Sequence, residues 1–241
     1  MRALRCHQTL VWFLMVATVT PLLAAPKPAI SPQLQTALDR FERAQQGIVS
    51  LKVQLVETRE LALLTKPQVL RGGLLFAQGL IRFDYREPEQ RSYLLKDGKL
   101  TGWIPALRRV EEANVARRVS RLKKLFALGQ TTAELLKDFD ASLSPTSSVG
   151  GTDELVLIPR SKRVQKRIPE VRLWLDQELG LPKQISYQTG DGNKITYQLH
   201  GLQVNPEVPL AAFDLQVPKD ATVVKGLQSL SLGNLQIDDE L

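Results

Sequence analysis

Residues 72–99 read GGLLFAQGLIRFDYREPEQRSYLLKDGK, and how this stretch divides decides the fold. Gly79, Pro88 and the Asp97-Gly98 pair cut it into short runs, too short for an independent helix and suited to strands. Asp-Gly between two apolar runs is a strong hairpin signal, because both residues tolerate the positive φ of a tight turn. Phe83 and Tyr85 are two apart and share one face of their strand, while Arg82 and Asp84 take the other. No acid and base are spaced here for catalysis. The stretch therefore reads as consecutive antiparallel strands with one apolar and one wet face, and the question is what the apolar face meets.

The pattern continues on both sides. Strands are expected near 51–56, 69–78, 80–86, 91–96, 99–104 and 107–112, and again over 140–144, 153–159, 170–176, 182–189, 193–204 and 212–217. Gly190-Asp191-Gly192-Asn193 marks another hairpin turn. Helical spacing appears in three places. Ser31 as N-cap and Pro32 at the first helical position start a helix over 31–47, whose apolar stripe is Leu34, Ala37, Leu38, Phe41, Ala44 and Ile48. Residues 115–138 hold two more, broken at Gly129, with Thr132 as the second cap. The fold class is α+β: a curled antiparallel sheet of about eleven strands with three helices able to cover its concave apolar face.

The first 24 residues differ from the rest. Arg2 and Arg5 precede an apolar run over 10–23, and Ala24 and Ala25 follow. This is the layout of a secretory signal peptide. The alternative is an uncleaved anchor, although the run is short of the roughly 20 residues a membrane span needs. Residues 25–30 form a linker, 31–224 the domain, and 225–241 a weakly patterned tail. Cleavage removes Cys6 and His7 and lowers the formal charge of +7 by two, to +5. With His200 as the one remaining histidine, thiolate catalysis, disulfides and Cys/His zinc sites are excluded. No cofactor and no metal are expected. Exported, the chain has no route to nucleic acid, but its positive charge suits anionic head groups or an acidic partner.

No Walker lysine motif, G-x-G-x-x-G or G-x-S-x-G is present. Asp84, Glu87 and Glu89 do not have the arrangement of a paired acid and base. His200 reads as a half-exposed strand residue, and Arg82 and Asp84 as solvated cross-strand charges. Arg117 and Arg118, in the middle helical region, and Arg160, Arg163 and Arg167, in the run RSKRVQKR, read either as solvated charge, the latter run as a hairpin loop, or as a docking patch for an anionic surface or partner.

The order of motifs resembles the LolA-like outer-membrane lipoprotein carrier family. The residues that carry the resemblance are the amphipathic first helix, GGLLF, RFDY, EP, DGK and Trp103-Ile104-Pro105. Towards the end they are LPKQISYQTGDGNKITYQL (181–199) and NPEVPLAAFDLQVPKDATVV (205–224). The likeness spans residues 32–224. It implies an unclosed half-barrel with a helical lid over a hydrophobic cavity, no enzyme activity, and a periplasmic monomer of a Gram-negative bacterium. The implied cargo is acylated lipoprotein or lipid, received from an inner-membrane exporter and passed to an outer-membrane acceptor. It makes Phe83 and Tyr85 the family's aromatic pair, either cavity wall or ordinary sheet core. Leu75, Ala77, Leu51, Val53, Leu55 and Trp103 join them as candidate lining, and residues 213–215 become the last strand. The family's Arg-Pro pair before RFDY is missing here, where Gln78-Gly79-Leu80 stand, so lid latching by that arginine does not transfer. Two other classes stay open: a periplasmic sensing module of the same shape, and a hydrolase using scattered carboxylates.

Overall fold

The computed structural model describes residues 30–116 and 131–229. The proposed signal peptide, the helix expected at 115–128 with Arg117 and Arg118, and the chain after Ser229 lie outside them, wholly or nearly so.

The first helix, α1 (Pro32–Gln45), begins where the capping residues place it, with the Leu34 amide donating to Ser31 Oγ at 3.2 Å. Its stripe of Leu34, Ala37, Leu38 and Phe41 is buried. Gly47, at φ 78°, turns the chain into the sheet. The strands then follow in order: β1 (Ser50–Glu60), β2 (Gln68–Ala77), β3 (Leu80–Glu87), β4 (Arg91–Lys96), β5 (Lys99–Ile104) and β6 (Arg109–Asn114). Both short turns of this meander, Gln78-Gly79 (φ 52° and 80°) and Asp97-Gly98 (φ 49° and 76°), take the doubly left-handed form that matches strand twist. Helix α2 (Thr132–Asp138) leads into β7 (Phe139–Leu143) and β8 (Thr152–Pro159). A short helix, α3 (Lys162–Arg167), then precedes β9 (Glu170–Asp176), β10 (Pro182–Gln188), β11 (Lys194–Val204) and β12 (Thr222–Lys225).

All twelve strands form one curled sheet in the order β12-β6-β5-β4-β3-β2-β1-β11-β10-β9-β8-β7. Each neighbouring pair is antiparallel except β12 and β6, which run parallel, so the sheet is mixed. Among the described residues the two edge strands, β12 and β7, do not pair with each other, which leaves the barrel unclosed.

Register explains why a single face becomes the core. Residues directly opposite each other across a pair lie on the same face. One row runs Val53, Leu74, Phe83, Tyr93, Gly102, Glu111 from β1 to β6, and its neighbour runs Leu51, Phe76, Ile81, Leu95, Leu100, Ala113. On the other side of β1, Glu57 leads to Tyr197, Ile185, Leu173, Leu155 and Leu143. Nearly all are apolar, and they join the buried side chains of α1 in one hydrophobic cluster. Helix α1 lies towards the β7–β10 half: Arg40 pairs with Asp153 at 2.7 Å, and a Cβ at Gly180 would stand 2.6 Å from the Arg40 carbonyl oxygen. The Thr132 hydroxyl donates to the Leu38 carbonyl and ties α2 to α1.

Three sequence expectations are corrected. Residues 212–217 are not a strand: Leu210–Phe213 is a 3-10 turn, and the next strand, β12, comes later and crosses the expected boundary at 224. Thr131, not Thr132, caps α2, because Glu134 completes a capping box with it. The run at 160–167 is a helical turn capped by Ser161.

Candidate functional site

Among the described residues the concave face is largely apolar, and two buried carboxylates set into it, Glu57 and Glu111, each have their own partners. Glu57, fully buried, continues the inward alternation of Leu51, Val53 and Leu55 along β1. Its Oε1 accepts from Arg59 Nε at 2.5 Å, and its Oε2 accepts from the Tyr85 hydroxyl at 2.6 Å. Tyr85 stands on β3 with β2 between it and Glu57, and the residue beside Tyr85 on β2 is Gly72. A Cβ at Gly72 would meet the Asp84 carbonyl oxygen at 2.2 Å, so only glycine permits β3 to approach so closely.

The second carboxylate, Glu111, is also fully buried. Arg109 Nη2 stands 2.7 Å from its Oε1, and the Ser229 amide and hydroxyl donate to its Oε2 at 2.9 and 2.6 Å. Gly102 again supplies space: a Cβ there would lie 2.8 Å from the Tyr93 ring.

The site therefore combines a wide hydrocarbon surface with charges that are internally neutralised. Burial pushes the Tyr85 phenol well above its ordinary value, and the Glu57 carboxylate adds to the shift. Burial does the same for Tyr93, Tyr187 and Tyr197. For Arg59 burial alone would favour the neutral form, but the charge and hydrogen bond of Glu57 outweigh it and hold the guanidinium protonated. A buried ion pair of this kind gains little net stability, since desolvation offsets attraction. Among the described residues no cluster of three or more His, Cys, Asp or Glu side chains is disposed to hold a metal.

The structure sorts the sequence candidates by face. Leu51, Val53, Leu55, Phe83 and Tyr85 stand together on the concave face, with Tyr85 buried and Phe83 half-buried. Leu75, Ala77 and Trp103 do not join them. Leu75 is opposite Arg82, Ala77 opposite Leu80, and Trp103 opposite Ser92 and Val110, all on the convex side. The Gln78-Gly79 turn is the cause, since it pairs Leu74, not Leu75, with Phe83. Leu74, Phe76, Tyr93 and Tyr197 belong to the face and were missed. So were Glu57, Arg59 and Glu111, although a charged residue falling in phase with Leu51, Val53 and Leu55 was a visible signal.

Arg82 and Asp84 also differ from expectation. They are half-buried, and Arg82 binds Asp84 while its Nη1 donates to the carbonyls of Ala212 and Asp214 at 2.8 and 2.9 Å. This clamps the 3-10 turn, with Phe213 buried beneath it, to the convex face. Of the basic run, Arg160 pairs with Asp140 at 2.7 Å, and Arg163 and Arg167 are exposed on α3. His200 is an exposed residue of β11.

A scan against protein-family models finds no match, and a search of curated proteins finds none. Among solved structures, an uncharacterized conserved protein from Thermus thermophilus matches with a TM-score of 0.52 at 12% identity, covering 80% of this chain and 99% of that one. At 12% identity that likeness is one of fold alone. Other matches are a LolA superfamily protein from Nitrosomonas europaea (TM-score 0.38, 12% identity, 75% of this chain and 96% of that one) and a MucA/MucB complex structure from Pseudomonas aeruginosa (TM-score 0.45, 17% identity, 75% and 60%).

Proposed function

We propose that the chain is a non-enzymatic carrier, exported to the periplasm, that holds the acyl chains of lipoproteins or other lipids against its concave face. The single observation that carries this reading is the face itself. It is a broad, largely apolar surface running from β6 through β1 to β7, its buried charges paired with one another, in a sheet whose described edge strands stay unpaired with each other and which is covered by a helix instead of a second sheet. Hydrocarbon contributes roughly 25 cal/mol per Å² buried, so an acyl chain laid on such a surface gains enough to stay bound. Phe83 and Phe76, half-buried beside buried neighbours, are the points at which the chain would enter. Helix α1 would shift as a lid to make room. An inner-membrane exporter and an outer-membrane acceptor are the partners this role requires, and the exposed Arg163 and Arg167 suit contact with an anionic surface.

The test is mass spectrometry of the organic extract from protein purified without detergent. The reading predicts co-purifying acylated lipid or lipoprotein. An extract without lipid, together with no uptake of added fatty acid, would contradict it.

A further inference from the structure

The concave face already holds a ligand of a kind, which is the chain's own segment 226–229. Strand β12 runs along β6, and its last turn is fixed by the Gly226 amide, which donates to the Glu112 carbonyl at 2.8 Å. The chain then turns over the edge onto the inner face. Leu227 packs against the hydrophobic cluster. Ser229 has every polar group taken by inward-facing side chains. Its amide and hydroxyl donate to Glu111 Oε2 at 2.9 and 2.6 Å. Its hydroxyl also meets the Tyr93 hydroxyl at 2.9 Å. Its carbonyl accepts from Arg91 Nη1 at 3.1 Å.

These contacts amount to a site for main chain. A carboxylate reads the amide, a guanidinium reads the carbonyl, and a phenol and the same carboxylate read a small hydroxyl. Gly102 lies between β4 and β6 in the same row and leaves the room in which the Tyr93 ring reaches across. That row continues to Phe83, directly opposite Tyr93. Cargo lying along the row and segment 226–229 would occupy adjoining, overlapping parts of one surface.

We infer that Arg91, Tyr93, Gly102 and Glu111 form a docking site for extended main chain, held by the chain's own residues 226–229 in competition with acyl cargo. The competition rests on the carrier reading, whereas the docking itself does not. Lifting the segment exposes the Tyr93–Glu111 end of the face, and filling that end with cargo releases the segment. A chain whose competent state is only fractionally populated shows an affinity reduced by that fraction.

The experiment uses the full chain and a fluorescent long-chain fatty acid, with Ser229→Pro removing both the amide proton and the hydroxyl. Circular dichroism confirms that the variant is folded. A second readout needs no variant: hydrogen exchange of the Ser229 amide in the wild type, with and without the fatty acid. The inference predicts binding tighter by roughly tenfold in Ser229→Pro and faster exchange at Ser229 when probe is bound to the wild type. If the wild type binds the probe but the folded variant binds no tighter, or Ser229 exchange does not change, the competition is overturned while the carrier reading stands. If Ser229 exchanges freely without probe, the docking is overturned too. If neither protein binds the probe, the carrier reading fails and the competition falls with it.

Discussion

Burial governs the chemistry of all four tyrosines of the chain, Tyr85, Tyr93, Tyr187 and Tyr197. Each sits on the concave face with its phenol held above the ordinary value, and burial is the leading cause every time. A raised folded value favours the neutral phenol in the native state. The stabilisation it brings is complete below about pH 10, the unfolded value, and is lost as pH rises towards the folded values. Alkaline titration should therefore show no tyrosinate absorbance near pH 10, and then a cooperative rise that coincides with loss of the circular dichroism signal. A tyrosine titrating near pH 10 in protein that is still folded would show that part of the face is open to water. At this scale the sequence was half legible. Alternation assigned Phe83 and Tyr85 to one face, and the structure agrees. It could not assign Leu75, because a change of one residue in register moves a side chain to the opposite face. That register is fixed by the turn at 78–79, whose Gln-Gly pair is not among the strongest turn signals.

The elements were the most readable level. Helix α1, the meander from β1 to β6 and the strands from β7 to β11 all lie where capping, turn chemistry and period-two alternation place them. Two of the failures have causes that lie far along the chain. Residues 205–218 carry Pro206, Pro209 and Pro218, which remove backbone donors. The segment is held instead by Arg82 through long-range contacts that alternation cannot show. Strand β12 pairs in parallel with β6 across more than a hundred residues of chain, so no hairpin announces it. In the cargo-free state α1 is docked over the face by its anchor, Phe41, which is fully buried together with Leu38. Because the lid must be closed before cargo shifts it, Phe41→Ala should lower the stability of the cargo-free protein, measured by denaturant unfolding, by about 3–5 kcal/mol. A cost below about 1 kcal/mol would mean that the helix is not docked on the face even without cargo.

For the molecule as a whole, the central claim is that the concave face of the unclosed sheet, and not its convex face, is the surface that takes acyl chains. The two faces can be compared at adjacent strand positions. Phe83 and Leu75 are close in the sheet and both half-buried, yet they point to opposite sides. Glutamate at Phe83 sets an unpaired charge against hydrocarbon, which costs several kcal/mol unless water enters or the group protonates. Glutamate at Leu75 faces Arg82 on the convex side and leaves the concave surface intact. The most direct measurement is the affinity of a fluorescent long-chain fatty acid for the wild type, Phe83→Glu and Leu75→Glu, with circular dichroism confirming that each is folded. The account predicts binding by the wild type, near wild-type binding by Leu75→Glu, and a loss of roughly tenfold or more in Phe83→Glu. Unchanged binding by folded Phe83→Glu, or no binding by the wild type, would contradict it.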